Sequence, residues 1–293
     1  MSDTPTAEIL KKVRKIEIKT KELSKHLFSG EYSSTFKGRG MSFSEVRDYQ
    51  YGDDIRNIDW NVTARSGDPH VKVFEEEREL TVVFLVDMSK SSFFGTVNQF
   101  KSDINTELCA TLGFSALTNH DKVGAILFTD KIEKYIPPKK GRNHILRIIR
   151  ELIYFEPESS GTNVGEALKY LNNVIKKKSI AFVLSDFMDN TYDAVLKIAS
   201  RKHDIIGVRV YDDLEAALPN VGLVKVEDAE TGEKQLIDTS SKELRENYAS
   251  YFEERTTYFN SSFKKSGASI LTINTKEDYV KNLMYFFKTR HKR

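Results

Sequence analysis

From residue 81 onwards, short runs of consecutive apolar residues alternate with segments in which apolar residues recur every three or four positions. The runs are typical of strands that are covered on both faces, and the spaced segments are typical of amphipathic helices. We therefore predict an α/β domain with a doubly wound, mostly parallel sheet of six strands. The predicted strands are residues 81–86, 123–128, 131–136, 180–184, 205–210 and 269–273, with 131–136 antiparallel to its neighbour.

Between these strands the spacing of apolar residues predicts helices near residues 97–112, 145–153, 164–175, 195–199 and 280–287. Residues 221–226 and 234–237 flank Glu230-Thr231-Gly232 and predict a small hairpin. We treat this hairpin as an insertion in the α/β domain at about residues 219–239. A long helix is predicted after it, from residue 241 to residue 265.

The first 80 residues have a different pattern. Residues 7–28 predict a helix, a turn-rich stretch begins at Gly38-Arg39-Gly40, and residues 70–74 alternate as a strand does. We therefore divide the chain into residues 1–78, an N-terminal helix with a β-rich module, and residues 79–293, the α/β domain. Because no low-complexity linker separates the two, we expect the N-terminal part to pack on the rest.

Composition narrows the class of protein. The chain has 293 residues, of which 39% are hydrophobic and 30% charged, and its net charge of +2 gives no reason to expect nucleic acid as a partner. One cysteine, Cys109, excludes an internal disulfide and fits a reducing compartment. The N-terminus lacks an apolar signal core and no segment reaches the ~20 apolar residues of a membrane span. We therefore expect a cytoplasmic protein without a membrane span.

Polar oxygen groups follow two of the predicted strands and precede one predicted helix. The first strand runs into Asp87-x-Ser89-x-Ser91, Asp186 follows the strand at 180–184, and Thr162 precedes a helix capped by Asn163. In open α/β sheets, ligands bind outside the carboxyl ends of the strands. Carboxylate and hydroxyl oxygens suit Mg²⁺ or Mn²⁺, so we predict a site for one of these ions.

These five positions resemble the metal-ion-dependent adhesion site of von Willebrand factor A domains. In that family Asp-x-Ser-x-Ser forms the first loop, Thr the second and Asp the third, which corresponds here to Asp87, Ser89 and Ser91, then Thr162, then Asp186. The resemblance implies that a Glu or Asp from a partner protein completes the metal shell. It therefore implies a metal-dependent protein–protein interaction module that is not an enzyme.

A second resemblance covers the remainder of the chain. The segment from Gly38-Arg39-Gly40 to Glu77 resembles the bacterial family called domain of unknown function 58. The resemblance implies a partner, because such genes commonly accompany MoxR-type AAA+ ATPases. It also implies an adaptor role for this ATPase in assembling or remodelling other complexes. The residues that carry it are Gly52-Asp53-Asp54, Arg56, Ile58-Asp59-Trp60 and Ser185-Asp186-Phe187.

Further residues have both a structural and a functional interpretation. Asp189 is either an ordinary helix cap or an outer partner of the metal ligands. In the signature segment, the structural interpretation is a turn at Gly52-Asp53, an ion pair of Arg56, and a buried Trp60 that anchors the fold. The functional interpretation is a recognition surface formed by Asp53, Asp54, Arg56, Asp59 and Trp60.

Two alternative functions stay open. The metal could merely stabilise a structural scaffold, or the site could belong to a metal-dependent phosphoester hydrolase. Asp87 follows a strand, as the nucleophile of aspartyl phosphotransferases does, but Ser89 stands where those enzymes need a second Asp. The chain has no phosphate-binding G-x-x-x-x-G-K-[ST] loop, no G-x-S-x-G elbow and no H-E-x-x-H zinc pattern.

Overall fold

The computed structural model describes residues 14, 16, 17, 42–75, 80–93, 100–227 and 232–290. Most of the predicted helix at 7–28, the Gly38-Arg39-Gly40 turn, residues 76–78, Val97 and the Glu230-Thr231 turn lie outside the described residues. The chain divides into two compact units, Phe36–Leu80 and Met1–Thr35 with Thr81–Arg293. The predicted grouping of residues 1–78 stays a prediction, because nearly all of its first 41 residues lie outside the described residues.

The described residues of the smaller unit form two strands, a short 3₁₀ helix (Ile55–Asn57) and one short α-helix. Strand β1 (Ser42–Asp48) pairs antiparallel with β2 (His70–Glu75), and helix α1 (Trp60–Ser66) lies between them in sequence. Asp59 caps α1 by accepting hydrogen bonds from the backbone of its first turn, and Gly67, with a φ of 85°, ends it. The sequence predicted only turns here, because α1 buries no residue and therefore has no apolar periodicity.

The larger unit contains the predicted six-stranded sheet, which is confirmed. The six strands of this sheet are β3 (Thr81–Asp87), β4 (Lys122–Phe128), β5 (Ile132–Lys139), β6 (Ile180–Ser185), β7 (Asp204–Tyr211) and β10 (Ser269–Asn274). The larger unit also contains β8 (Leu223–Glu227) and β9 (Lys234–Asp238), which lie outside this sheet. Its helices are α2 (Lys101–Thr118), α3 (Arg142–Tyr154), α4 (Val164–Val174), α5 (Asp193–Lys202), α6 (Asp213–Ala216), α7 (Lys242–Ser266) and α8 (Tyr279–Arg290).

The strand order in the main sheet is β10-β7-β6-β3-β4-β5, and β5 alone among these strands runs antiparallel to its neighbour. The chain leaves β3 towards β4 on one side and leaves β6 towards β7 on the other, although β3 and β6 are neighbours. The sheet therefore has its topological switch point between the carboxyl ends of β3 and β6, where open α/β sheets form ligand crevices.

The predicted hairpin insertion is β8 paired antiparallel with β9, a separate two-stranded sheet. The 25-residue helix α7 follows it and buries Phe259 and Phe263 near its carboxyl end. Gly207 of β7 leaves room for these two rings, since a Cβ at this position would lie only 2.4 Å from Phe263 Cε1. The absence of a side chain at one strand position therefore sets how closely α7 approaches the sheet.

The described residues of the predicted N-terminal helix, Arg14, Ile16 and Glu17, are helical. Ile16 is buried, and the Glu17 carboxylate accepts hydrogen bonds of 2.6 and 2.7 Å from Nε and Nη2 of Arg142 on α3. This bidentate pair joins the N-terminal residues to the α/β unit. None of the helices in the described part of the chain combines the length and the apolar character needed for a membrane span.

Candidate metal site

The first predicted ligand loop forms one tight turn directly after β3. The Asp87 carboxylate is fully buried, and its Oδ1 accepts a 2.9 Å hydrogen bond from the backbone N–H of Ser89. The hydroxyls of Ser89 and Ser91 lie 3.0 Å apart, and the Ser92 hydroxyl donates to the backbone oxygen of Asp87. Lys90 is exposed, as expected for the position between the two serines. The three predicted ligands of this loop therefore share one small region.

The third loop lies beside the first because β6 pairs with β3. The Ser185 hydroxyl, at the end of β6, donates a 2.6 Å hydrogen bond to Asp87 Oδ2. The next residue, Asp186, lies close enough to Ser91 for this hydroxyl to lower the pKa of its carboxylate. Phe187 then adopts a left-handed conformation with a φ of 55°, and its N–H donates to the Ser185 hydroxyl. The turn after β6 thus brings Asp186 to the serines of the first loop.

The strained turn at Phe187 is held by aromatic packing. A positive φ is unfavourable for a residue with a bulky side chain, so neighbouring contacts must maintain it. The Phe187 ring is fully buried, with ring centroids 4.5 Å from Phe259, 5.4 Å from Phe263 and 5.8 Å from Tyr192. The cluster beneath the sheet therefore fixes the backbone that presents Asp186.

The second ligand loop, residues 160–163, is held by backbone hydrogen bonds on both sides of Thr162. The N–H of Lys90 donates to the oxygen of Ser160 at 3.4 Å, and the N–H of Asn163 donates to the oxygen of Thr129 at 2.9 Å. The Asn163 side chain caps α4 by accepting a hydrogen bond from the N–H of Glu166, as predicted. Thr162 Oγ1 is buried and has no hydrogen-bond partner. A buried hydroxyl is normally satisfied, so this atom has unused capacity to bind a ligand.

Asp189 connects the third loop to the second. Its Oδ2 accepts a 3.2 Å hydrogen bond from the N–H of Val164, the first residue of α4, and its Oδ1 accepts from the N–H and hydroxyl of Thr191. Asp189 is therefore a capping residue, and the helix that it caps is the one that follows Thr162. Both interpretations of Asp189 from the sequence are compatible with this geometry, because a cap at this point also positions a predicted ligand.

Two buried carboxylates with opposite pKa shifts lie in this cluster. Burial and the neighbouring Asp186 charge raise the pKa of Asp87 to about 7, against the opposing effect of its hydrogen bonds. Burial would also raise the pKa of Asp186, but the charge and hydrogen bond of Lys101, together with Ser91 and the N–H of Met188, outweigh burial and hold the pKa below its usual range. Asp186 therefore ionises more readily than Asp87.

The structure adds two cations that were not predicted from the sequence. Lys101 Nζ lies 2.9 Å from Asp186 Oδ2 and also pairs with Glu215, and Arg209 Nε donates to the backbone oxygen of Asp186 at 3.0 Å. A sequence signal existed for both. Lys101 shares a helical face with the buried Ile104, and Arg209 interrupts a strand whose other positions are mostly apolar.

The donor set fits a hard cation in its chemistry, because it offers two carboxylates and three hydroxyls. Among the residues that the structure describes, no group of three or more His, Cys, Asp or Glu side chains is placed to hold a metal ion. Any ion at this edge therefore depends on the hydroxyls of Ser89, Ser91 and Thr162. The unpartnered Thr162 Oγ1 is the observation that favours such an ion.

The signature residues of the smaller unit have structural partners within that unit. Asp53 accepts two hydrogen bonds from Arg47, at 2.7 and 2.8 Å, and one from the N–H of Gln50. The predicted ion pair of Arg56 is formed with Asp54, at 3.2 Å. The turn at Gly52-Asp53 is present as well, since Gly52 has a φ of 106°. These contacts fit the structural interpretation of the acidic residues.

Trp60 contradicts that interpretation. It was expected to be buried as an anchor of the fold, but it is 70% exposed. The reason is its position at the start of α1, directly after the capping residue Asp59, on a helix that buries none of its residues. Tyr51 and Ile55 of the same segment are also exposed. The signature segment therefore presents apolar side chains to solvent.

The fold and the cluster at its switch point define a doubly wound α/β protein with a candidate cation site at the carboxyl edge of the sheet. The chain belongs to the family described as "Protein of unknown function DUF58", which matches residues 45–258. The family predicted from the signature segment is thereby confirmed.

The chain is similar to mycobacterial proteins. It is 26% identical to "Uncharacterized protein Rv1480" of Mycobacterium tuberculosis over 283 residues, which covers 96% of this chain and 89% of that protein. It is 24% identical to "Uncharacterized protein MAV169" of Mycobacterium avium over 160 residues, 54% of this chain and 94% of that protein.

Among solved structures the similarities are weak. An aerotolerance-related membrane protein from Bacteroides fragilis matches with a TM-score of 0.48 and 15% identity, covering 72% of this chain and 99% of that one. BatB from Bacteroides thetaiotaomicron matches with a TM-score of 0.46 and 15% identity, covering 73% of this chain and 100% of that one. The SpRpn10 VWA domain matches with a TM-score of 0.36 and 10% identity, covering 70% of this chain and 93% of that one.

Proposed function

We propose that this protein is a metal-dependent protein-interaction module in which Asp87, Ser89, Ser91, Thr162 and Asp186 hold one Mg²⁺ or Mn²⁺ ion. The observation that carries the proposal is the buried Thr162 Oγ1 without a partner, on a loop fastened to both carboxylate loops. A cation would use the free lone pairs of this oxygen. When bound, the ion would supply a Lewis-acidic centre with few anionic ligands, which attracts a further carboxylate.

The charges of the cluster support the same function. When ionised, Asp87, Asp186 and Glu215 carry three negative charges. Lys101 and Arg209 carry two positive charges, so the cluster has one excess negative charge. Protonation of Asp87 brings the metal-free cluster to neutrality, which agrees with its raised pKa. A divalent ion beside ionised Asp87 would instead leave one excess positive charge. A single Glu or Asp from a partner would neutralise this charge.

The partner is therefore proposed to be a protein that offers an exposed Glu or Asp. The resemblance to the family of domain of unknown function 58 suggests a MoxR-type AAA+ ATPase, for which this chain would be an adaptor in complex assembly or remodelling. We propose a cytoplasmic, non-enzymatic role. An assay of generic phosphoester substrates with Mn²⁺ tests the last point, since turnover abolished by Asp87→Asn would establish a hydrolase instead.

Calorimetric titration of Mn²⁺ tests the metal site. The wild type is expected to bind one ion per chain, and Asp87→Ala is expected to lose this binding. Lys90→Gln is the matched control, because Lys90 lies in the same loop with an exposed side chain and is expected to leave binding intact. Equal heats from the wild type and Asp87→Ala would refute the metal site.

One observation favours a second candidate, a structural scaffold without an exchangeable ion. Lys101 already neutralises Asp186, so the cluster has an internal cation. A pull-down with the MoxR-type ATPase, in Mg²⁺ and in EDTA, separates the two candidates. The interaction module predicts that EDTA and Thr162→Ala both abolish capture. Capture that survives both treatments would favour the scaffold.

A further inference from the structure

Lys101 is a buried ammonium that contacts two carboxylates. Its side chain is 2% exposed, and Nζ lies 2.9 Å from Asp186 Oδ2 and 2.5 Å from Glu215 Oε1. The three groups come from the start of α2, the end of β6 and helix α6. A buried charge needs a partner of opposite sign, and one carboxylate would meet this need. The second carboxylate therefore calls for an explanation.

Glu215 is held in place independently of Lys101. Its Oε2 accepts a 2.9 Å hydrogen bond from the N–H of Asp212, as part of the capping arrangement that begins α6. Asp212 in turn accepts hydrogen bonds from the N–H of Leu214 and from the hydroxyl of Thr275, beyond the end of β10. Glu215 is consequently fixed at the edge of the sheet and would remain a partner for Lys101 if Asp186 were engaged elsewhere.

We propose that Lys101 is shared by Asp186 and Glu215 in the metal-free protein and is retained by Glu215 when a divalent ion engages Asp186. This inference rests on the proposed metal site and deepens it, because it assigns the regulation of metal affinity to residues outside the ligand set. Lys101 and Glu215 are positioning residues in this scheme. They act on the ion through Asp186 and contact neither the ion nor the partner.

The consequence is that Lys101 opposes metal binding and Glu215 relieves this opposition. An ammonium and a divalent ion on the same carboxylate repel each other, and the repulsion is strong where water is excluded. Glu215 offers the ammonium an alternative anion. The site would therefore bind its ion reversibly, with an affinity below that of a site built from the same ligands without Lys101. Such a site can release its ion when the partner's carboxylate leaves.

Tyr248 connects this pair to α7. Burial raises the pKa of the Tyr248 hydroxyl, the nearby Glu215 carboxylate raises it further, and Lys101 lowers it, so the phenol lies within the field of both groups. Tyr248 is partly exposed on the N-terminal half of α7.

Calorimetric titration of Mn²⁺ into four proteins tests the proposal: the wild type, Lys101→Met, Glu215→Gln and the double variant. Lys101→Met is expected to bind Mn²⁺ about tenfold more tightly, because a neighbouring positive charge is removed. Glu215→Gln is expected to bind about tenfold more weakly, because Lys101 then has only Asp186 as a partner. In the Lys101→Met background, Glu215→Gln is expected to have no further effect.

The pattern of the four affinities decides the outcome. Equal affinities in the wild type and Lys101→Met, or an effect of Glu215→Gln that is the same in both backgrounds, would overturn the proposal. The second result would mean that Glu215 acts as a simple negative charge. Lys131→Met is the matched control, because it removes a lysine from an exposed ion pair with Glu158 and is expected to leave affinity unchanged.

Failure of the proposed function is distinguishable from failure of this inference. If the wild type binds no Mn²⁺, both the metal site and its regulation by Lys101 are refuted. If the wild type binds Mn²⁺ and the variants bind it with the same affinity, only the role of Lys101 is refuted. Circular dichroism checks that each variant folds. If Lys101→Met does not fold, the Mn²⁺ affinity of Glu215→Gln is the test. A folded Glu215→Gln variant that binds Mn²⁺ as tightly as the wild type would overturn the proposal.

Discussion

The Ser185 hydroxyl donates a 2.6 Å hydrogen bond to Oδ2 of Asp87 and thereby joins the carboxyl ends of β6 and β3. Both groups are buried, so no water can replace either partner without rearrangement. The bond aligns the first and third loops at the switch point of the sheet. It also leaves both Asp87 oxygens with a donor, since Oδ1 accepts from the N–H of Ser89.

Replacement of Ser185 by alanine tests the importance of this bond. At pH 8, where Asp87 is mostly ionised, Ser185→Ala is expected to lower the free energy of unfolding by about 1.5–3 kcal/mol, as for hydrogen bonds to charged groups. Urea denaturation measures the loss. Ser92→Ala is the control, because Ser92 donates to a neutral backbone oxygen and its loss is expected to be about 0.5–1.5 kcal/mol. Equal losses would show that the Asp87 charge adds nothing to the bond.

The raised pKa of Asp87 predicts an unusual pH dependence of stability in EDTA. The folded state keeps the Asp87 proton up to pH about 7, whereas the unfolded chain releases it near pH 4. Because the folded state then binds more protons, Asp87 makes stability fall as pH rises through this window, by up to about 1.4 kcal/mol per pH unit. Above pH 7 the contribution is constant.

Comparison with Asp87→Asn isolates this effect. Other groups titrate in the same range: burial lowers the pKa of His203 to about 4, which makes stability rise as the unfolded-state histidine loses its proton. The difference in unfolding free energy between the wild type and Asp87→Asn removes such contributions. It is expected to decrease steadily from pH 5 to pH 7 and to stay level above. Parallel profiles would contradict the raised pKa.

The exposure of Trp60 predicts that it contributes little to folding. Trp60→Ala is expected to change the free energy of unfolding by no more than about 0.5 kcal/mol, as for surface substitutions. Val71→Ala, in the buried face of β2, is the contrasting variant and is expected to cost about 1–2 kcal/mol. As the only tryptophan, Trp60 also gives a direct readout, because acrylamide is expected to quench its fluorescence efficiently in the folded protein.

The sequence predicted the central sheet well because its four inner strands, β3, β4, β6 and β7, are mostly apolar runs that are buried on both faces. The edge strands β5 and β10 are only partly buried. The same runs placed Asp87 and Asp186 at strand ends, and the topology of such sheets brings strand ends to one edge. The two carboxylates could therefore be assigned to one region from the sequence alone, and the hydrogen bond from Ser185 to Asp87 joins the two strand ends.

The partners of Lys101 could not be predicted in the same way. Asp186 and Glu215 are separated from it by 85 and 114 positions, and nothing in the local sequence relates a helix start to two distant carboxylates.

The exposure of Trp60 could not be predicted from its residue type. Its side chain is the type most easily taken for a fold anchor, but the capping residue before it places it on an exposed first turn. Its exposure therefore follows from the helix cap beside it and not from the hydrophobicity of its side chain.

The close packing of α7 predicts that Gly207 cannot be replaced. A Cβ there would lie 2.4 and 2.6 Å from ring atoms of Phe263 and 2.9 Å from Phe259, rings that also hold Phe187 beside Asp186. Gly207→Ala is expected to destabilise the protein by about 1–3 kcal/mol or more. In the ligand loop, Gly161→Ala is the control, since its Cβ would meet only ordinary contacts at 3.5 Å. Thermal unfolding that is unchanged in Gly207→Ala would contradict the packing.

The unpartnered hydroxyl of Thr162 predicts opposite effects on stability and on metal binding. Thr162→Val keeps the shape of the side chain and removes only a buried hydroxyl that has no hydrogen bond. The metal-free variant is expected to be as stable as the wild type or slightly more stable, because an unsatisfied polar group has been eliminated. Binding of Mn²⁺ is expected to weaken by at least about tenfold, because one oxygen ligand is lost.

Thr129→Val provides the comparison for this last experiment. The Thr129 hydroxyl lies near the same edge of the sheet but donates to Asp130 and Glu133, at 3.2 and 2.9 Å. Its removal is expected to cost about 1–3 kcal/mol, as for a hydroxyl whose partners are left unsatisfied. Urea denaturation in EDTA and calorimetry with Mn²⁺ measure both quantities. A Thr162→Val variant that loses stability like Thr129→Val, with unchanged Mn²⁺ affinity, would mean that Thr162 is a structural residue and that the ion, if it binds, does not use the second loop.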